Sequence, residues 1–252
     1  MPVVTPKNET VKSLSGLHLY HSGISNCSMR VRLALEEKRL PWESHHLDII
    51  KKEHLTPEYF GVHPKGLVPS LVHNGVVIIE SDDIIDYIDR EFPEHPLRPT
   101  GEGELNLMYE WLHRATRIHV KAVKTHIYEK RIAGKMAQDA AEEERYKELQ
   151  GDAELLEFHH KSSTGSFSQQ ELAKAKATLD ECFDDLEQAL SDAPWVAGES
   201  YSLADIAWIP LHFTLEALAG YSFSDRPNVR QWAQRVQERP SFKQGVLEWW
   251  PG

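Results

Sequence analysis

The chain has 252 residues and a formal net charge of −11, with 28 Lys+Arg against 39 Asp+Glu. That length holds one large domain or two smaller ones, and the acidic balance argues against nucleic-acid binding, which needs a basic face to neutralise phosphates. Hydrophobic content is ordinary at 40%, and only two cysteines, Cys27 and Cys182, exclude a disulfide-dense scaffold.

Residues 1–14 are mixed and polar and are expected to form a flexible arm. From Leu17 the pattern alternates between strand and helix. "LHLYHS" reads as a short strand. "SMRVRLALEEKRL" reads as a helix with Val31, Leu33, Ala34, Leu35 and Leu40 on a broad apolar face and Arg and Glu elsewhere. "WESHHLDI" alternates again, and "KKEHLTPEYFGVHPKG" offers a short helix at most. The apolar runs of "VPSLVHNGVVIIES" flank Asn74-Gly75, a dipeptide suited to the positive φ of a tight hairpin turn. Ser81 opens "SDDIIDYIDREF" as an N-cap, with Asp82 and Asp83 at the positive end of the helix dipole and Ile84, Ile85 and Ile88 at helical spacing. The order β-α-β-α-β-β-α predicts a mixed sheet with helices on it over residues 15–93.

Three prolines and two glycines in "FPEHPLRPTGEGE" make residues 94–103 a linker. No strand pattern follows, so residues 104–252 are predicted all-helical. "LNLMYEWLHRATRIHVKAVKTHIYEKRIAGKM" is one long helical candidate, and Tyr109, Trp111, His113, Arg114 and Arg117 on it are candidates for lining a hydrophobic pocket. "SQQELAKAKATLDECFDDLEQALSD" carries a stripe of Leu172, Leu179, Phe183, Leu186 and Leu190. "SLADIAWIPLHFTLEALAG" is nearly all apolar, reads as the buried helix, and opens with a capping box, Ser202-x-x-Asp205. Trp249-Trp250 either covers a pocket or docks the tail.

Four adjacent side chains, Ser25, Asn26, Cys27 and Ser28, occupy the joint between the first strand and its helix. Small polar residues there cap a helix or build a nucleophile-activating site, and the residues alone leave both readings open. The 14 histidines, His45-His46 and His159-His160 included, lack a metal-ligand spacing, so no metal is expected. No apolar h-region follows Met1 and no run of roughly 18 apolar residues occurs, so we expect no membrane span and a cytoplasmic setting.

"SNCSMRVRLAL" resembles the active-site turn of zeta-class glutathione transferases, where a Ser-Ser-Cys-Ser run opens a similar helix. "HPKGLVPSLVHNGVVIIES", "FPEHPLRP" and "YSLADIAW" resemble that superfamily's cis-proline block, interdomain linker and buried helix start. The resemblance implies an α/β thioredoxin-like N-terminal domain followed by an all-α helical-bundle C-terminal domain. It also implies glutathione as co-substrate, a small hydrophobic electrophile as second substrate, and a homodimer.

On this resemblance Ser25 and Ser28 fall where thioredoxin-like proteins keep C-x-x-C, so no dithiol cycle operates there. Ser25 is then the hydroxyl that stabilises a glutathione thiolate, aided by the positive field of the helix start. Asn26 replaces the second Ser of the zeta run and Met29 its Trp. Glu80 would hold the glutathione amine, and Ser81 with Asp82 its γ-glutamyl carboxylate. Val68, before a cis Pro69, would offer main-chain groups to the peptide, and His54 would sit near the glycyl carboxylate. A charged insertion over residues 121–165 looks more like the bacterial glutathione-dependent β-etherases that cleave lignin aryl ethers. Their Asn-Ser pair falls on Cys27 and Ser28, which makes Ser28 a second donor candidate. Cys27 itself supports an alternative, a glutathione-dependent isomerase or thiol transferase. A further alternative is a non-catalytic ligand-binding or interaction protein of the same fold.

Overall fold

The computed structural model describes residues 3–131 and 140–251. They divide into two compact units, one of Met1–Pro96, Arg145–Gly151 and Arg239–Gly252, the other of Leu97–Glu144 and Asp152–Glu238.

The first unit is built on a five-stranded sheet: β1 (Val3–Val4), β2 (Leu17–His21), β3 (Glu43–His46), β4 (Ser70–His73) and β5 (Val76–Ile78), in the order β1-β5-β4-β2-β3. Only β2 and β3 are parallel, joined through α2 (Asn26–Glu37), as a parallel crossover requires. The β4–β5 hairpin turns at Asn74 and Gly75, both at positive φ (51° and 80°), as the dipeptide predicts. Leu19, Leu71 and Ile78 stand in register on one face of the sheet and are buried. Val72 and Val77 on the other face join Val11, Tyr59, Val62 and Ile79 in a second cluster. Short helices α1 (Glu9–Lys12) and α3 (Pro57–Phe60) and the longer α4 (Ser81–Glu91) complete the thioredoxin-like layer.

Three expectations change here. The N-terminal residues are not a loose arm: Val3 pairs with Ile78 and Val4 with Val77, which covers the exposed edge of β5. The Lys7 and Asn8 amides both donate to the Gly61 carbonyl, at 2.7 and 3.0 Å, and Val11 is buried. In α2 the apolar face is present, yet Arg30 and Arg32 are fully buried as well. Finally, residues 239–251 belong to the sheet unit. Their helix α12 (Pro240–Gly245) lies on α2 so closely that a Cβ on Gly245 would sit 3.1 Å from the Leu33 amide nitrogen. Arg239 makes a fork to Glu37 at 2.6 and 2.7 Å, and the Ser241 hydroxyl donates to the same carboxylate.

The second unit is helical: α5 (Glu102–Ile118), a π-helical stretch His119–Lys124, α6 (Thr125–Arg131), α7 (Ala140–Leu149), α8 (Ala153–Thr164), α9 (Gln169–Asp192), α10 (Leu203–Ala219) and α11 (Pro227–Gln237). The last turn of α7 belongs to the first unit. Its Gln150 neighbour donates to the Lys65 carbonyl at 2.9 Å, so part of the insertion rests on the loop before Pro69. The expected helical run through Lys135 and Met136 extends outside the described residues. The apolar helix α10 is buried along most of its length, and α5, α6 and α11 pack around it. Its capping box forms as read: Ser202 and Asp205 exchange hydrogen bonds across the first turn. Of the pocket candidates on α5, Trp111 and Arg114 are committed inside this unit. The Trp111 ring is buried and meets the Trp208 ring edge-to-face at 5.3 Å between centroids, and Arg114 pairs with Asp185 at 2.5 Å.

Candidate active site

Ser25 is the N-cap of α2. Its backbone is extended (φ −79°, ψ 118°), and its hydroxyl oxygen accepts the Ser28 amide at 3.3 Å. Capping uses an oxygen lone pair and leaves the hydroxyl proton available, so a cap can also donate outward. Ser25 is half-buried, on the rim of the turn. Ser28 is placed differently. It has no exposure, and its hydroxyl oxygen accepts the Ser22 amide at 3.2 Å. Asn26 is buried at the first helical position, and Cys27, half-buried beside it, is a thiol, as is Cys182.

The start of α4 lies against the same part of α2. Arg30, one turn along α2, donates from Nη1 to the Ser81 hydroxyl at 3.2 Å. Burial lowers the Arg30 pKa, while Cys27 and Asp82 nearby act in the opposite direction and favour its charge. The N-cap of α4 is Glu80, not Ser81. Glu80 sits at φ 64° and its side chain makes no capping bond, while Ser81 is nearly buried within the first turn. This helix start therefore has no side-chain cap, the arrangement that receives an anion. The Glu80 carboxyl is raised above its usual range by desolvation and by Asp82, against the lowering effect of Lys65.

The Val68–Pro69 peptide is cis. It immediately precedes β4, whose first residue Ser70 pairs with Tyr20 on β2, the strand that leads into the Ser25 turn. Tyr59, buried, holds this loop by donating to the Leu67 carbonyl at 2.6 Å and bonding the Ser70 hydroxyl at 3.1 Å. Ser25, Asn26, Cys27, Val68, Pro69, Glu80 and Ser81 thus belong to neighbouring ends of β2, α2, β4 and α4. His54 is half-buried in the turn before α3. Among the described residues no group of three His, Cys, Asp or Glu is placed to hold a metal ion, and no helix is long and apolar enough to cross a membrane.

The pattern of the sequence places Arg30 and Arg32 off the apolar face of α2 with no functional role, yet both are fully buried. The signal in the sequence is two arginines interleaved with Val31 and Leu33 near the middle of α2, since a guanidinium buried there must be hydrogen-bonded.

The glutathione S-transferase N-terminal domain family matches residues 19–96, and the C-terminal domain family matches residues 122–240. The chain belongs to the glutathione S-transferase family. This transferase is 27% identical over 247 residues to a tetrachloro-p-hydroquinone reductive dehalogenase of Sphingobium chlorophenolicum, covering 93% of this chain and 97% of that protein. It is similar to the crystal structure of the β-etherase LigF from Sphingobium sp. strain SYK-6, with a TM-score of 0.81, 27% identity, and 91% and 98% of the two chains covered. A zeta-class glutathione S-transferase of Euphorbia esula is 42% identical over 94 residues, which are 37% of this transferase and 42% of that protein.

Proposed function

We propose that this transferase binds glutathione across the starts of α2 and α4, keeps its sulfur as thiolate with the Ser25 hydroxyl, and directs it at a hydrophobic electrophile. In the step itself the sulfur lone pair forms a C–S bond, and the carbon's bond to a phenolate oxygen or halide breaks with that group leaving as the anion. The observation that carries this reading is the Ser25 hydroxyl, which spends a lone pair on the Ser28 amide and keeps its proton for a thiolate. Lowering a thiol pKa by about two units corresponds to about 2.7 kcal/mol. A hydrogen bond to a charged group supplies about 1.5–3 kcal/mol and a helix N-terminus about 0.3–1 kcal/mol, a combined range that spans the requirement.

Glu80 takes the glutathione amine, Ser81 and Asp82 the γ-glutamyl carboxylate through their helix-start amides, and the Val68 main chain the cysteinyl backbone. Asn26 lines the same turn, and His54 reaches the glycyl carboxylate. The likeness to LigF and to the dehalogenase supports cleavage of an aryl ether or aryl halide as the reaction subclass. The transferase acts as a cytoplasmic homodimer in clearing such electrophiles, as its family membership supports.

Calorimetry with glutathione tests binding, and ultraviolet absorbance of the bound thiolate against pH tests activation. Saturable uptake with a depressed thiol pKa is expected. No uptake, or a bound thiol that titrates like the free one, overturns the reading. Cys27 keeps a second reading open, because it is half-buried at the helix start with the Arg30 charge near it. Thiol transfer or isomerisation through Cys27 requires that Cys27→Ser abolish turnover while Ser25→Ala spares it.

A further inference from the structure

Arg32 has no solvent exposure, and its guanidinium is committed to main chain and one imidazole. Nε–H donates to the Gly245 carbonyl at 2.6 Å, and Nη2–H to the Gly23 carbonyl at 3.0 Å. Nη1 donates to the Ser22 carbonyl at 2.9 Å and to His21 Nδ1 at 3.0 Å. Among the described residues no carboxylate partners it. A cation buried without a counter-ion is tolerated only where its hydrogen bonds are met, and here carbonyl dipoles meet them.

Those carbonyls come from two separate stretches of chain. Ser22 and Gly23 form the turn that delivers Ser25, whereas Gly245 ends α12. Arg32 therefore fastens the C-terminal segment to the turn. The tail continues over the same turn: a Cβ on Gly23 would lie 2.1 Å from the Trp249 carbonyl oxygen, so only glycine admits the contact. The Trp249 ring meets the edge of His21 at 4.5 Å between centroids and stacks on His46 at 6.0 Å. His46 Nε2 in turn accepts the Gly23 amide at 3.2 Å. Tail, Arg32 and β3 thus hold the turn from three sides.

We propose that the C-terminal tail is a working part of the sulfur site: through Arg32, a positioning residue, Gly245–Trp249 fix the Ser22–Ser25 turn, and the guanidinium adds uncompensated positive charge behind the helix start. The idea deepens the glutathione reading above and rests on it. Arg32 touches neither sulfur nor substrate, so its effect is on where Ser25 stands and on the local field.

The test compares wild type with Arg32→Lys, Arg32→Met and Trp249→Ala, reading the thiol pKa of bound glutathione and amide hydrogen exchange across residues 22–28. Arg32→Met raises the bound thiol pKa by about one unit, a tenfold loss in thiol ionisation. Arg32→Lys keeps the charge without the fork and falls between wild type and Arg32→Met. Trp249→Ala keeps the charge, raises the pKa less, and speeds exchange in the turn. A folded Arg32→Met protein with the wild-type thiol pKa overturns the proposal. So does a Trp249→Ala protein with wild-type exchange and pKa. Should Arg32→Met fail to fold, the Lys and Trp249 variants decide. If wild type takes up no glutathione, the glutathione reading falls, while exchange in Trp249→Ala still decides whether the tail holds the turn.

Discussion

The Ser25 hydroxyl accepts the Ser28 amide at 3.3 Å, while the Ser28 hydroxyl turns inward and accepts the Ser22 amide at 3.2 Å. Two serines of one motif therefore have different consequences when removed. Ser25→Ala removes a cap, worth about 1 kcal/mol, and raises the bound thiol pKa by about two units. Ser28→Ala strands a buried amide at about 1–3 kcal/mol and leaves the thiol pKa alone. Urea unfolding and thiolate absorbance on both variants check this. A raised thiol pKa in Ser28→Ala with none in Ser25→Ala would move the sulfur to Ser28.

A second prediction concerns the far ends of α2 and α4. Lys38 and Asp89 pair at 2.7 Å with side chains 0% and 1% exposed, so solvent does not screen them. Lys38→Met removes the cation buried against Asp89 and destabilises the sheet unit by about 3–5 kcal/mol. Lys38→Met with Asp89→Leu recovers part of that loss, because the carboxylate left behind by Lys38→Met is then removed as well. Chemical denaturation of the three proteins measures it, and a double variant no more stable than Lys38→Met contradicts the pair's isolation from solvent.

What the sequence revealed was local, and what it concealed was long-range. Asn74-Gly75 specifies its turn through its own φ, and Ser202-x-x-Asp205 specifies its cap through neighbours three residues apart. Val3–Val4 carry no such signal, because their strand exists only where β5 offers an edge. Arg32 looks like a polar-face residue until Gly245, far along the chain, supplies a carbonyl to it. Ser81 reads as an N-cap by composition, yet the positive φ at Glu80 starts α4 one residue earlier and frees Ser81 to meet Arg30. The joint at Ser25–Ser28 is a candidate site only through its resemblance to zeta-class enzymes, since helix capping explains the same letters.

Asp205 anchors the helical unit beyond its role in the capping box. Oδ1 accepts the Val196 amide at 3.0 Å and Trp232 Nε1–H at 2.8 Å, while Oδ2 accepts the Ser202 amide and hydroxyl at 2.8 and 3.1 Å. Burial raises its pKa, and those hydrogen bonds oppose the rise. Asp205→Ala strands several buried donors at about 1–3 kcal/mol each, enough to unfold a marginally stable unit. Asp205→Asn keeps one acceptor oxygen and has an intermediate effect. Thermal melting followed by tryptophan fluorescence ranks the two, and an Asp205→Ala protein that melts at the wild-type temperature refutes this role.

The last prediction is the acid limb of stability. Burial holds His212 neutral and pushes its pKa down from 6.5 to about 4; the ring stacks on Phe223 at 4.1 Å, and among the described residues neither nitrogen has a hydrogen-bond partner. In the sheet unit burial likewise pushes His63 to about 4 and, with Arg32 adjacent, His21 to about 2. Each folded pKa lies below the unfolded one, so between pH 6.5 and about 4 the unfolded chain binds protons that the folded chain refuses. Stability is then complete above pH 6.5 and falls with acidification, by at most about 1.4 kcal/mol per pH unit for each histidine. Burial lowers His45 in the sheet unit and His126 in the helical unit in the same sense, so among the described residues the sheet unit, with three such groups, loses stability more steeply than the helical unit with two. His212→Leu removes the group and flattens the acid slope of the helical transition alone, as denaturation midpoints measured across that range will show. An unchanged slope would mean that His212 takes up its proton as readily folded as unfolded.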